Sequence, residues 1–505
     1  MPRRPIKVNF VVNLLYPITR IAVALVTVPL YLHHIGEARY GVMSIVWVLL
    51  GFFGLIDFGL SRAVTNALAK LRDAPQPHRA RVLLTTFGLN FGIGLAGGAI
   101  LYVFGGLLLK YFVSMPSEIS AEVTWALPWI AFLIPLTLMC SVGLGALESR
   151  ELFLTANSLQ VFANTLNQVV PVMVAIFISP SLTYVIPTVG VTQVLGSMAV
   201  MTVVYRLEGP FSLRAIDWGE ARKLLGYGGW MFATQVIYPA LASADQFIIG
   251  SVMGVTSVAH YAVPMSLIQR SAAVPVALGR TLFPRMSSIS GDAAHDLGKR
   301  ALATMAYGFA TICAPAMILS PTFFRYWISA DFAAVSAPVA QILFPGIWMA
   351  SLSLVGFTLL QSQGKANLTG RLSMVEVLPF VAILWVSTLA FGIVGAAAAW
   401  SFRCALDALA TLWLAGMKKR DLLALLPPAA LMIASLVTVQ FVGGSVLVNF
   451  LLAVLAGLAS VALGCLFAED WRTLVLAQAR RAPIVLGGLI NRAKPVSPVN
   501  TNAQK

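Results

Sequence analysis

The sequence predicts an all-α protein that crosses a membrane about fourteen times. Hydrophobic residues make up 59% of the 505 residues and charged residues only 10%, against roughly 25% charged in a soluble domain. The apolar residues recur in stretches of about 20, the length of helix that spans the hydrocarbon layer. Of the 34 lysines and arginines, 25 lie between these stretches on one side of the predicted membrane.

The predicted spans begin near residues 9, 41, 82, 122, 152, 182, 224, 256, 301, 334, 367, 392, 422 and 445. With both termini in the cytoplasm, only Arg39, Lys110 and Arg325 fall on outer segments, as the positive-inside rule requires. The net charge of +15 is therefore a consequence of topology. We expect no nucleic-acid partner, because the basic residues form no continuous patch.

Other classes of function lack their sequence signals. The four cysteines lie in apolar runs without a CxxC pair, so we expect packing thiols and neither disulfides nor a metal site. The sequence contains no GxxxxGK[ST] phosphate loop. No segment outside the predicted spans is long enough for a catalytic domain. We therefore expect no metal, no cofactor and no enzymatic activity.

A weak internal repeat predicts two related halves. Gly36-Glu37-Ala38-Arg39-Tyr40-Gly41-Val42-Met43-Ser44 opens the second span, and Ser257-Val258-Ala259-His260-Tyr261-Ala262-Val263-Pro264-Met265-Ser266 opens the eighth. Repeated halves are typical of transporters, although apolar segments also resemble each other by chance. We predict an amino-terminal lobe (1–210, spans one to six), a carboxy-terminal lobe (211–417, spans seven to twelve), two further spans (418–468) and a basic cytoplasmic tail (469–505).

Six arginines fall inside the predicted spans: Arg20, Arg62, Arg270, Arg280, Arg371 and Arg403. A guanidinium at the bilayer centre costs about 2.5–3.5 kcal/mol on insertion scales, so it normally faces a protein interior or a watery cavity. Its rigid fork of donors binds phosphate and carboxylate. Arg20 and Arg270, near mid-span, are the best candidate anion ligands, with internal ion pairs as the alternative. Arg62, Arg280 and Arg371 either reach headgroups from the cytoplasmic ends or form a basic inner mouth.

Four embedded carboxyls form a second group: Asp57, Asp245, Glu376 and Asp407. A carboxyl buried in a helix bundle can take up and release a proton, so each is either a coupling site or the counter-ion of an arginine. Asp407 follows Arg403 by four residues, and such an i,i+4 pair favours a scaffolding role.

An amide face on the fifth span is the third signal. Asn157, Gln160, Asn164, Asn167 and Gln168 lie on one side of this predicted helix. Carboxamides both donate and accept hydrogen bonds, so such a face suits the hydroxyls of a glycan. Interhelical hydrogen bonding, worth about 0.6 kcal/mol per contact on average in membranes, is the alternative.

An ordered series of short motifs covers about residues 8–415. The first half contains Pro29-Leu30-Tyr31, Ile35-Gly36, Tyr40-Gly41 and Asp57-Phe58-Gly59-Leu60. The second contains Gly226-Tyr227-Gly228, Asp245-Gln246-Phe247-Ile248-Ile249-Gly250, Phe283-Pro284, Gly364-Lys365-Ala366-Asn367 and Gly392-Ile393-Val394-Gly395-Ala396-Ala397. In this order and spacing they resemble Wzx-type polysaccharide flippases of the multidrug/oligosaccharidyl-lipid/polysaccharide exporter superfamily. Spans thirteen and fourteen are more similar to the flippases for the peptidoglycan precursor.

This resemblance implies two six-helix lobes around a central cationic cavity, followed by two further helices. It implies alternating access that moves an undecaprenyl-diphosphate-linked oligosaccharide from the inner to the outer leaflet of a bacterial plasma membrane. Peptidoglycan-precursor flippases hold the diphosphate with arginines on spans one, two and eight, where Arg20, Arg62 and Arg270 stand. We expect coupling to a proton or ion gradient, and a polysaccharide polymerase and chain-length regulator as partners. The alternatives are a peptidoglycan-precursor flippase, a multidrug cation antiporter of the same superfamily, and a membrane glycosyltransferase or ligase.

Overall fold

The computed structural model describes residues 6–55, 60–71, 74–209, 217, 219, 221–222, 244–289, 292–441, 445–473 and 475–476. Over these residues the chain forms helices joined by short turns and no strand. The helices are α1 (Ile6–Leu55), α2 (Leu60–Lys70), α3 (Gln76–Phe112), α4 (Ser117–Ser149), α5 (Phe153–Phe177), α6 (Leu182–Glu208), α7 (Val255–Ser271), α8 (Ala273–Ser288), α9 (Asp292–Trp327), α10 (Ala330–Ser362), α11 (Ala366–Leu414), α12 (Lys419–Leu423), α13 (Leu426–Phe441) and α14 (Val446–Phe467). A further helical stretch at 244–252 precedes α7.

Two of these helices are hairpins that reverse at a glycine. Gly36 interrupts α1 with φ 80°, a left-handed conformation that glycine adopts without a steric penalty. The rings of Tyr31 and Trp47 lie 5.8 Å apart, whereas sixteen residues of straight helix would separate them by about 24 Å. Gly392 interrupts α11 in the same way. There, Arg403 Nη1 lies 4.0 Å from Glu376 Oε2, and the two residues are on opposite arms.

The described helices confirm the predicted class, an all-α protein with many membrane spans. Ten of them are long and apolar enough to cross a membrane, and two of those ten are the hairpins α1 and α11, which each supply two predicted spans. The predicted seventh span, beginning near residue 224, lies outside the described residues except for its end at 244–252. The predicted eighth span consists of two helices, α7 and α8, and Pro275 stands in the first turn of α8, where a missing N–H is tolerated.

Two compact units divide the chain. The first comprises Met1–Ala273, Ser320–Ile347 and Ala366–Asp407, and the second comprises Val274–Leu319, Trp348–Lys365 and Ala408–Lys505. The first unit therefore contains residues from both predicted lobes. The division into lobes at 210 and 417 follows chain order and remains a prediction.

The first unit packs around α4 and α1. Helix α4 lies against α3 and α6, while α1 lies against α5 and α7. One buried cluster in this unit is entirely aliphatic or aromatic and includes Val64, Leu68, Leu83 and Val142. Large apolar side chains also cover outward faces: Leu378 is 80% exposed and Phe391 74% exposed. Extended apolar surfaces of this kind are stable against lipid and unstable against water.

Candidate functional site

Arg20 and Arg270 are neighbours, although 250 residues separate them in sequence. Arg20 is an exposed residue on the first arm of α1, and Arg270 is a half-buried residue in the last turn of α7. Nη1 of Arg270 donates a long hydrogen bond, 3.4 Å, to the backbone oxygen of Arg20. The two predicted mid-span arginines therefore lie on adjacent helices of the first unit.

The electrostatic surroundings of Arg270 favour an anion. The charged side chain that acts on its guanidinium is Arg20, which carries the same sign. None of the ion pairs within the described residues includes Arg270. Two like charges repel each other, and an anion bound between them would be attracted to both. Guanidiniums bind phosphate and carboxylate groups through parallel N–H···O bonds.

Two other predicted diphosphate ligands cannot be placed in this geometry. Arg62 lies on α2 and Arg280 on α8, but the side chains of both fall outside the described part of the chain. Asp57 also lies outside the described residues. Arg371, the remaining arginine from the predicted inner mouth, is exposed on the first arm of α11.

The amide face of α5 lies beside the side of α1 that carries Arg20. Thr27, seven residues after Arg20 and so on the same side of α1, places its Oγ1 3.5 Å from Gln168 Oε1. Spans one and five run in the same direction in the predicted topology. Gln160, eight residues before Gln168, then lies about 12 Å back along α5, close to the level of Arg20. Asn164 donates to the backbone oxygen of Gln160 at 2.8 Å.

The members of this amide face are all half-buried: Asn157, Gln160, Asn164, Asn167 and Gln168. Asn167 makes two short hydrogen bonds to the neighbouring helix α6. Its Nδ2 donates to Gln193 Oε1 at 2.7 Å, and its Oδ1 accepts from the Thr192 hydroxyl at 2.6 Å. For Asn167, the alternative of interhelical bonding is therefore the one that the structure supports.

Asp245 lies in the interior of the first unit, where it is 1% exposed. Its Oδ2 accepts a hydrogen bond from the Tyr261 hydroxyl at 2.7 Å, and its Oδ1 accepts one from the backbone N–H of Gln246 at 2.8 Å. The charge of Arg403 also acts on this carboxyl. Asp245 is thus a hydrogen-bonded carboxyl beside a cation and has no carboxylate neighbour at bonding distance in the described segments.

Two other predicted carboxyls, Glu376 and Asp407, also lie near Arg403. Its Nη1 lies 4.0 Å from Glu376 Oε2, and its guanidinium carbon lies 5.1 Å from the centre of the Phe380 ring. Asp407 lies close enough to act on Glu376 as a like charge. Sequence analysis named Asp407 as the partner of Arg403, and the structure adds Glu376 from the opposite arm of the α11 hairpin. Three carboxyls therefore share the surroundings of one guanidinium.

Sequence analysis missed a hydrogen-bonding contact between a histidine and a glutamate of the two repeat segments. His260 Nε2 lies 3.0 Å from Glu37 Oε2, and His260 Nδ1 lies 2.9 Å from the Ser336 hydroxyl. Glu37 and His260 stand in the two segments whose similarity suggested the repeat. The repeat itself could have indicated this contact, because a two-fold relation between the halves would bring the two similar segments together.

Sequence analysis also missed a group of ion pairs that joins helix ends within the first unit. Glu208, the last residue of α6, accepts hydrogen bonds from Arg79 at 2.7 and 3.0 Å and from Arg150 at 2.6 Å. Arg79 and Glu208 are each only 2% exposed. No sequence spacing links these residues, since Arg79 precedes Glu208 by 129 positions.

Comparison with known proteins assigns the chain to a family. A protein of Shigella flexneri named "Putative O-antigen transporter" is 26% identical over 388 residues, which cover 75% of this chain and 90% of that protein. Two solved structures share the fold. The lipid II flippase MurJ in an inward closed conformation covers 92% of this chain and 99% of its own, with TM-score 0.69 and 14% identity. An inward-facing multidrug resistance MATE family transporter of the MOP superfamily covers 79% and 97%, with TM-score 0.68 and 11% identity. The model of the family described as "Polysaccharide biosynthesis protein" matches residues 35–362, and this chain belongs to that family.

Proposed function

We propose that this protein flips an undecaprenyl-diphosphate-linked oligosaccharide from the cytoplasmic to the outer leaflet of a bacterial inner membrane, for the synthesis of a surface polysaccharide. The observation that carries this proposal is the juxtaposition of Arg20 and Arg270 on α1 and α7. The family match and the O-antigen transporter relative support the class of cargo. In this role the protein is a transporter that changes no covalent bond, and both of its termini are cytoplasmic.

The diphosphate is the part of the cargo that the arginines select. It is an anion whose oxygens match two guanidinium forks, and it relieves the repulsion between Arg20 and Arg270. Arg62 and Arg280 remain diphosphate ligands predicted from the sequence. The polyprenyl tail stays in the lipid, because its transfer into a charged cavity would expose apolar surface to water.

The glycan lies against the amide face of α5 in this proposal. Gln160 and Asn164 are close to the level of Arg20, so the sugars nearest the diphosphate would meet them first. Asn157 and Gln168 extend the same face in both directions. Amide groups suit this task because each can donate to one hydroxyl and accept from another without fixing one sugar sequence.

Alternating access would release the cargo on the outer side, and the buried carboxyls are the candidates for coupling it to a proton or ion gradient. Asp245, Glu376 and Asp407 share one guanidinium, Arg403, so protonation of a carboxyl changes the charge balance inside the bundle. Asp57 is a fourth candidate. A polysaccharide polymerase and a chain-length regulator would act on the cargo after its release.

The ligand role is tested with Arg20→Ala and Arg270→Ala. Loss of one charge-assisted contact of about 1.5–3 kcal/mol weakens binding roughly ten- to hundredfold. Binding of undecaprenyl diphosphate to the detergent-purified protein and recovery of surface polysaccharide in a strain that lacks this gene should both fall. Arg325→Ala is the matched control, since it removes one exposed arginine that the predicted topology places on an outer segment and not within a span. Full binding and export by both single variants would refute the proposed site.

The coupling role is tested with Glu376→Gln, which keeps the side-chain shape but cannot lose a proton. In proteoliposomes we expect wild-type flipping to respond to an imposed proton gradient and the variant to flip at a rate that the gradient does not change. An equal response from both proteins would exclude Glu376 as a coupling group and leave Asp245→Asn and Asp407→Asn as the next tests.

A peptidoglycan-precursor flippase is the second candidate function. It is favoured by the likeness to the lipid II flippase over 92% of this chain and by the two helices α13 and α14 that follow the twelfth span. Depletion in the native host separates the two candidates: lysis supports the peptidoglycan precursor, whereas intact cells without surface polysaccharide support our proposal. A multidrug cation antiporter is disfavoured, because adjacent guanidiniums repel a cationic drug.

A further inference from the structure

The two predicted lobes meet inside the first compact unit, along a set of contacts near Gly36 that we call the seam. We define the seam by Glu37 and Gly41 on the second arm of α1, Ser114 after α3, and Val255 and His260 on α7. Residues before 210 supply the first three, and residues after 211 supply the last two. The seam is separate from the arginine pair, which uses other residues of α1 and α7.

Backbone atoms form one part of the seam. The N–H of Ser114 donates to Gly250 O at 3.0 Å, and the N–H of Val255 donates to Ser114 O at 3.2 Å. Gly41 packs so tightly that an added Cβ would lie 1.7 Å from Val255 O. A close approach of this kind requires glycine, and it brings the two repeat segments into direct backbone contact.

A side-chain bridge forms the other part. Glu37 Oε2 and His260 Nε2 are 3.0 Å apart, and Ser336 on α10 contacts the other ring nitrogen. The His260 ring also lies against Phe332, with ring centres 4.8 Å apart. His260 is therefore held by two residues of α10, which belongs to the same predicted lobe as α7.

Glu37 is anchored to the opposite lobe. Two residues later, Arg39 donates to Glu122 at 2.7 and 3.1 Å and to Glu118 at 2.8 Å, both on α4. These ion pairs lie within the amino-terminal lobe. If the lobes part, Glu37 stays with α4 and His260 with α10, so the side-chain contact between Glu37 Oε2 and His260 Nε2 breaks together with the backbone contacts of Ser114.

We propose that the Glu37–His260 pair is a latch that holds the two lobes together at the Gly36 end and must open before cargo leaves there. The latch rests on the proposed flipping function, in which the Gly36 end is the outer end. Its position suits the task, since the side chain of Glu37 is 37% exposed and Gly36 beside it has a non-helical backbone. The backbone contacts of Ser114 then align the lobes each time they close.

The first test measures how often the seam opens. Val255 is 1% exposed, so a Val255→Cys reporter reacts with a membrane-impermeant maleimide only when the seam opens. In intact cells we expect Glu37→Ala and His260→Ala to raise its labelling rate about tenfold, equivalent to about 1.4 kcal/mol. Glu118→Ala is the matched control, because it removes a carboxylate at the same end that bonds only within its own lobe. Unchanged labelling in Glu37→Ala would overturn the latch.

The second test locks the seam. A Cβ on Gly250 would lie 3.6 Å from Val113 Cγ1, so the double variant Val113→Cys/Gly250→Cys places two sulfurs within reach of a disulfide. Oxidation should stop the export of surface polysaccharide, and dithiothreitol should restore it, while each single variant stays active. Export through the oxidised double variant would overturn the proposal. The labelling test needs no cargo. If labelling rises as expected but the locked seam leaves polysaccharide export unchanged, the proposed function is wrong, whereas unchanged labelling means that the latch is wrong.

Discussion

Glu208 is predicted to be important for the stability of the first unit, and Glu208→Gln is the perturbation that tests this. The side chains of Glu208 and Arg79 are both 2% exposed, and three hydrogen bonds from Arg79 and Arg150 reach the two carboxylate oxygens. The glutamine keeps the shape and removes the negative charge. The Arg79 guanidinium then stays buried without its counter-charge.

The expected magnitude follows from that burial. Removing one partner of a buried ion pair costs about 3–5 kcal/mol, because it leaves an uncompensated charge. Glu118 offers the contrast: it also bonds an arginine, Arg39, but its side chain is 78% exposed. A pair at the surface contributes only about 0–1 kcal/mol. Glu118→Gln should therefore have little effect on stability.

The assay is a thermal melt of detergent-purified protein, with wild type and both glutamine variants measured side by side. Glu208→Gln should lower the melting temperature well below that of Glu118→Gln. The double variant Arg79→Met/Glu208→Gln should recover part of the loss, because it removes the stranded charge as well. Equal melting temperatures for the two single variants would refute the reasoning from burial.

Two further outcomes are expected. Gly41→Ala should lower the melting temperature, since its Cβ would lie 1.7 Å from Val255 O. Gly51→Ala, with open space around the new Cβ, should leave the melting temperature unchanged or raise it. Equal destabilisation by both substitutions would contradict the tight packing at Gly41. Asn164→Ala should reduce polysaccharide export, and Asn167→Ala should lower stability by about 0.6–1.7 kcal/mol, because it loses interhelical hydrogen bonds. The reverse pattern would exchange the roles assigned to these two amides.

Several features could be predicted because they depend on local sequence. The hydrophobic length of each stretch predicted the span positions, and the described helices confirm the polytopic class. The reversals at Gly36 and Gly392 fall between predicted spans, where a hairpin must turn. Arg20 and Arg270 were singled out because a mid-span guanidinium is costly, and the structure brings these two together. Their role as diphosphate ligands remains a prediction.

Other features could not be read from spacing. The i,i+4 rule offered Asp407 as the partner of Arg403, but Glu376 reaches the same guanidinium across the α11 hairpin. A periodic pattern placed Asn167 with the other amides of α5, yet its side chain bonds Gln193 and Thr192 of α6. Such distinctions depend on the angle at which one helix meets the next.

The amino-acid sequence by itself determined the membrane class, the order of the spans and the costly side chains within them, because lipid imposes hydrophobic length and charge position on each segment separately. Tertiary structure alone decided which side chains contact each other across the sequence. Glu37 reaches His260 over 223 positions, and Glu208 reaches Arg79 over 129. Helix packing sets such distances, and two segments of equal hydrophobicity can pack in many registers until close contacts such as Gly41 on Val255 select one.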